Sequence, residues 1–115
     1  MRRSLTRVRM LKKRDDIKRI FSSRKYYSKS ILIRYCSNGE DESRFLVVPE
    51  RKAHCSVGRN LIRRRISEIL RVNQYRIRGG LDIAFFVKRD VSELKHAQLR
   101  DLVMGVIAEC GFLRS

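Results

Sequence analysis

The chain has 115 residues, 43% of them hydrophobic, enough for one modest core and against both a two-domain protein and wholesale disorder. Lysine and arginine number 28 against 12 aspartates and glutamates, a net charge of +16. Self-repulsion on that scale is relieved by a polyanion, with nucleic acid the first candidate.

Residues 1–12 are basic and aperiodic and read as an arm, followed by a single domain over residues 13–115. No apolar h-region follows the basic start, so no secretory signal is expected. Asp15 or Asp16 can open a short helix, in which Ile17, Ile20 and Phe21 share a face. It ends near Ser22–Ser23. Lys25–Tyr27 can add a short edge strand. The alternation of Ile31, Ile33 and Tyr35 with Leu32, Arg34 and Cys36 predicts a strand with one more polar face. Asn38-Gly39 predicts a turn, and Phe45–Val48 the returning strand, which Pro49 should end because it cannot donate to the ladder.

Ser56 is a plausible cap for a long helix running to about Val72. Ile62, Ile66, Ile69 and Leu70 form its buried stripe. At about 100° per residue, Asn60, Arg64, Ser67 and Arg71 fall on the opposite side, with Arg63 flanking them. Arg65 lies nearer the apolar edge and should snorkel. Gly79-Gly80 breaks the chain, and the apolar run Leu81–Val87 predicts a central strand. Ser92 is placed to cap a last helix with a long apolar stripe, which Gly111 ends. The order argues for an α+β sandwich, one sheet with helices packed on it. No apolar run approaches membrane-spanning length.

The charge is concentrated. Residues 1–29 hold 12 basic and 2 acidic residues, and residues 51–78 hold 9 and 1. The two basic segments flank a nearly neutral scaffold, which fits a binding face better than a cationic tail. Cys36, Cys55 and Cys110 are odd in number and far apart. With His54 and His96 off zinc-ligand spacing, neither a disulfide framework nor a structural zinc site is expected, and the thiols should be reduced and mostly buried. Cys55 beside His54 could suggest a thiol–imidazole pair, but sequence neighbours rarely point at each other. No carboxylate cluster or phosphate-cradling glycine loop is present, so no catalytic or metal-binding residue is expected in the chain. Binding is better supported. Arginine grips phosphate bidentately and stacks on bases, and Asn60 can reach a base edge, a 2′-hydroxyl or a metal-bound water.

The stretch Gly58-Arg59-Asn60-Leu61-Ile62-Arg63-Arg64 resembles the signature helix of the protein subunit of bacterial ribonuclease P, which carries an R-N-x-x-K/R-R-type motif. The start 11-LKKRDDIKRIF-21, the strand 81-LDIAFFVKRD-90 and the closing helix also fall in place, so the resemblance runs along most of the chain. It implies an α-β-β-β-α-β-α fold similar to ribosomal protein S5 domain 2, with a left-handed strand–helix–strand crossover, an exception to the usual right-handed rule. It implies partnership with a large catalytic RNA that performs the hydrolysis with Mg²⁺, no tightly bound cofactor on the protein, and action in the cytoplasm on the 5′ leader of precursor tRNA, away from membranes. Carried over by position, Arg51, Lys52, Arg59, Asn60, Arg63, Arg64 and Arg71 would face the catalytic RNA. Lys12, Lys13, Ile17, Phe21 and Tyr35 would line a cleft for the leader, with Arg34 replacing Tyr35 if the strand register differs by one. Leu61, Ser67, His54 and Ile17 depart from the usual residues of the family. Rival readings are a ribosomal protein or general RNA chaperone without a role in tRNA processing, a nuclease built on His54 and Cys55 and, more distantly, a DNA-compacting protein.

Overall fold

In the computed structural model, which describes residues 9–28, 30–52 and 54–113, the apolar segments assemble into one five-stranded sheet. Its strands are β1 (Arg9–Met10), β2 (Arg24–Ser28), β3 (Ile31–Ser37), β4 (Arg44–Pro49) and β5 (Leu81–Val87). Three helices accompany them: α1 (Arg14–Phe21), α2 (Ser56–Val72) and α3 (His96–Glu109). The order across the sheet is β1-β4-β5-β3-β2. β5, the most continuously apolar strand, takes the centre. It runs parallel to β4, to which α2 connects it, and antiparallel to β3. β2 pairs antiparallel with β3 at one edge, and β1 pairs parallel with β4 at the other.

Apart from β1, the element order is the expected one. Residues 1–8 of the expected arm lie outside the described residues. Residues 9–11 belong to the sheet: the Leu11 N–H donates to the Phe45 carbonyl at 2.7 Å, and the Leu11 side chain is buried. A two-residue strand between basic residues carries no periodicity to read, which is why it looks like an arm.

Strand alternation gives the sheet two different faces. On one, Ile31, Ile33, Phe45, Val47, Ile83 and Phe85 meet the α2 stripe of Ile62, Ile66, Ile69 and Leu70, together with Leu99, Val103, Val106 and Ile107 of α3. On the other, Ala84 and Phe86 form a smaller core with Leu11 and with Ile20 of α1, joined by Ile17, Leu32, Leu46 and Val48. The long helices thus cover one face and the short helix only part of the second.

Several helix ends differ from expectation. Cys55, not Ser56, caps α2, its Sγ accepting the Gly58 N–H at 3.4 Å. Ser56 is the first helical residue. Lys95, not Ser92, precedes α3, and the Gln98 side-chain carbonyl accepts the Lys95 N–H at 2.8 Å. Ser92 instead closes a turn, donating through N–H and Oγ–H to Asp90 Oδ1 at 2.9 and 2.6 Å. Polar residues one or three apart compete for the same role, and spacing alone does not choose between them. Gly111 ends α3 as expected. Its φ of 77° lets the Phe112 N–H reach the Ile107 carbonyl at 3.0 Å, a left-handed closure that glycine makes without a Cβ penalty.

One charged network ties α1 to the sheet. The carboxylate of Asp82, fully buried on β5, accepts from Arg44 Nε and Nη2 at 2.9 and 2.8 Å, from Arg19 Nη2 at 2.6 Å and from Asn38 Nδ2 at 3.1 Å. Arg44 Nη1 also donates to Asp16 Oδ2 on α1 at 3.1 Å. Burial pushes the Asp82 carboxyl up, but hydrogen bonds from Arg44 and Asn38, with the charge of Arg44, outweigh it and leave the group below its ordinary range. Among the described residues no helix is long and apolar enough to cross a membrane.

Candidate nucleic-acid interface

An α1 of eight residues is about 12 Å long, too short to span the strands beneath it. Beyond its last residue, Phe21, a cleft of about 670 Å³ opens on the sheet. Leu32 and Arg34 of β3, Phe86 of β5 and Val48 of β4 make the floor. Phe21 forms one wall. The first turns of α2 supply the opposite wall through Ser56, Arg59, Asn60 and Arg63, and Arg51 and Lys88 stand at the mouth.

Phe21 is 50% exposed, and its ring meets Phe86 edge to face at 5.3 Å between centroids. That leaves one aromatic face open beside a cation. Arg34 Nη1 donates to the Phe21 carbonyl at 2.7 Å, and its guanidinium lies 6.0 Å from the ring centre. Arg59 donates to the His54 carbonyl at 3.1 Å, and Arg63 donates to Asn60 Oδ1 at 3.1 Å. Both guanidinium groups are therefore oriented while retaining donors. Lys88 is paired with Glu50 at 2.6 Å. An apolar floor, an open aromatic face and converging cations suit an unpaired, phosphate-bearing strand.

A second hollow, of about 530 Å³, lies where β1 meets the middle of α2. It is lined by Met10, Lys12, Arg63, Arg64, Ser67, Glu68 and Arg71. Arg71 holds Glu68 through Nε and Nη2 at 2.9 and 2.5 Å, which keeps the Glu68 carboxyl below its ordinary range. Arg64 is exposed and has no ion-pair partner among the described residues. Arg63 borders both hollows, so the basic face of α2 is continuous with the cleft.

The two residue sets expected from the sequence are regrouped by the fold. Arg51, Arg59, Asn60 and Arg63, assigned to the catalytic RNA, share the cleft with Phe21. Lys12, assigned to the leader, joins Arg64 and Arg71 instead. Ile17 packs in the small core under α1. Lys13 is exposed at the N-cap of α1, and Lys52 is exposed in the turn before α2. Tyr35 does not line the cleft. It packs on the main core, edge to face with Phe112 at 4.8 Å. Strand alternation puts its neighbour Arg34 on the cleft side, so the one-residue register resolves to Arg34. Lys88 was missed, although a lysine directly after a central strand marks a position at that strand's end.

The nuclease reading finds no support here. His54 is buried, and its Nδ1 donates to the Glu50 carbonyl at 3.1 Å, since a carbonyl can only accept. Cys55 is exposed and occupied as a helix cap. Cys36 and Cys110 are half-buried, so the expectation of mostly buried thiols fails at Cys55. No group of three or more candidate metal ligands occurs among the described residues.

A basic α+β domain with an aromatic-floored cleft beside a cationic helix has the features of a nucleic-acid-binding protein. Comparison with known proteins narrows the class: the ribonuclease P family model matches residues 5–111, and the chain belongs to that family. It is 22% identical over 109 residues to a ribonuclease P protein component of Alkaliphilus oremlandii, covering 94% of this chain and 96% of the relative. It is 27% identical over 107 residues to one of Pelotomaculum thermopropionicum, covering 92% and 96%. The fold superposes on the ribonuclease P protein of Thermotoga maritima with a TM-score of 0.79 at 25% identity, over 87% of this chain and 96% of that one. The corresponding figures for the Staphylococcus aureus protein are 0.80, 21%, 91% and 97%.

Proposed function

We propose that the cleft holds the single-stranded 5′ leader of precursor tRNA while the outward arginines of α2 meet the catalytic RNA. As a family member, the chain is a subunit of the ribonuclease P holoenzyme, the ribonucleoprotein endonuclease of tRNA 5′ processing. The observation that carries the leader reading is the convergence of Phe21, Phe86 and Arg34 with Arg59, Asn60 and Arg63 in one cleft. Stacking on Phe21 tolerates any base, and arginine forks hold the phosphates. The chemistry is assigned to the RNA with its Mg²⁺, and the protein's share is positional and electrostatic. It screens repulsion between two polyanions and orients the leader. The proposed compartment is the cytoplasm, and three free cysteines are in keeping with a reducing one.

The test is cleavage of precursor tRNA at a magnesium concentration where the RNA subunit alone is slow, with and without this protein. Stimulation is expected, and its absence overturns the assignment. A general RNA chaperone would bind precursor and mature tRNA alike, so a competition between the two separates that rival.

Arg64 lies outside the leader cleft and faces the second hollow. Arg64→Ala should weaken assembly with the catalytic RNA and lower the slope of log affinity against log salt by roughly one, the signature of one lost phosphate contact. Titration of holoenzyme assembly at several salt concentrations measures it, and an unchanged slope would rule out a direct phosphate contact.

A further inference from the structure

Strand β2 carries the cleft surface beyond the cleft. Partners directly opposed in an antiparallel pair share a face, and the register opposes Lys25 to Arg34 and Tyr27 to Leu32. Arg34 and Leu32 floor the cleft, so Lys25 and Tyr27 stand on the same surface one strand farther out. The intervening Tyr26 goes the other way and donates to Glu109 of α3 at 2.7 Å, which confirms the alternation independently. Tyr27 is 62% exposed on the outermost strand. From Phe86 on β5 through Leu32 on β3 to Tyr27 on β2 is two strand spacings, about 10 Å.

We propose that Tyr27, with Lys25 beside it, is an outer stacking platform that holds the unpaired leader nucleotide lying beyond those in the cleft. This rests on the leader reading of the cleft. Its chemistry repeats that of the inner site: an open aromatic ring beside a cation that has no ion-pair partner among the described residues. Charge selects the occupant. Arg24 and Lys25 on the sheet edge discourage pairing with another protein strand and attract phosphate. The platform continues an existing track, so a strand leaving the cleft along this face meets it next.

The experiment uses reconstituted holoenzyme and precursor tRNAs whose leaders are shortened one nucleotide at a time from the 5′ end. With the unsubstituted protein, affinity should rise with leader length and then level off. Tyr27→Ala should level off earlier and lose about fivefold to tenfold, only on the longer leaders. Tyr27→Phe should keep the gain, because it keeps the ring. A Tyr27→Ala curve that superposes on the unsubstituted one overturns the proposal, as does an equal loss at every length. Phe21→Ala, measured alongside, separates the two layers. If it weakens binding and Tyr27→Ala does not, the outer platform alone falls. If neither matters, the leader reading of the cleft falls with it.

Discussion

Arg44→Ala should destabilise the protein by about 3 kcal/mol, the cost of stripping one partner from a buried ion pair. Asp82 has no exposure, and Arg44 makes its bidentate contact. Removing it leaves a buried carboxylate with only Arg19 and Asn38, and leaves Asp16 of α1 with only its 3.7 Å ion pair to Arg19. Urea denaturation measures the loss, and a change under 1 kcal/mol would show that the remaining donors suffice. The double variant Arg44→Met with Asp82→Leu should recover most of it, since apolar replacement of a buried pair is often neutral. The sign of the pH dependence follows from Asp82 being held below its ordinary value. Its stabilisation is fully present above the unfolded value of about 4 and is lost as pH falls through the lower folded value. Asp82→Asn should therefore flatten the acid limb of the stability curve below about pH 4. An acid limb as steep as that of the unsubstituted protein would remove Asp82 as a source of it. The network also matters for the site, because it pins the helix whose last residue is Phe21.

What could be read in advance follows from range. The α2 stripe was legible because seventeen helical residues repeat one period several times. The central place of β5 was legible from its apolar run. β1 was not, because two residues have no period. Arg34 against Tyr35 turned on one residue of register, which is set by partners on β5 and β2 that the local pattern does not contain. Asp82 looked like an isolated acid in an apolar strand, and its meaning came from Arg44 and from Arg19, distant in sequence. The cleft itself was legible only through family resemblance. It exists because α1 is short and the first turns of α2 border the sheet surface left open beyond it, a relation between elements. The same relation explains why residues assigned to two different RNAs face each other across one cleft. The start of α2 borders the cleft beside Phe21, and its middle borders the hollow beside β1.

Phe21→Ala should lower holoenzyme affinity for precursor tRNA by about tenfold to a hundredfold, the range of one lost base–aromatic stack, and leave mature tRNA binding unchanged. Phe21 also packs on Phe86, so lost packing must be distinguished from lost stacking. Its exposure makes that practicable. Half of the residue is already in water, and an edge-to-face aromatic contact contributes about 1 kcal/mol. The variant should therefore stay folded, with a modest fall in melting temperature. Phe21→Leu refines the distinction, because it retains apolar contact with Phe86 but offers a nucleotide no ring. If stacking carries the effect, Phe21→Leu should bind precursor nearly as weakly as Phe21→Ala while melting close to the unsubstituted protein. If packing carries it, Phe21→Leu should restore both. The ratio of precursor to mature tRNA affinity decides the matter, because a globally loosened subunit lowers both affinities, whereas a lost leader contact lowers only the first. A ratio unchanged in Phe21→Ala would remove Phe21 from the leader path and leave the basic face of α2 as the protein's principal RNA contact.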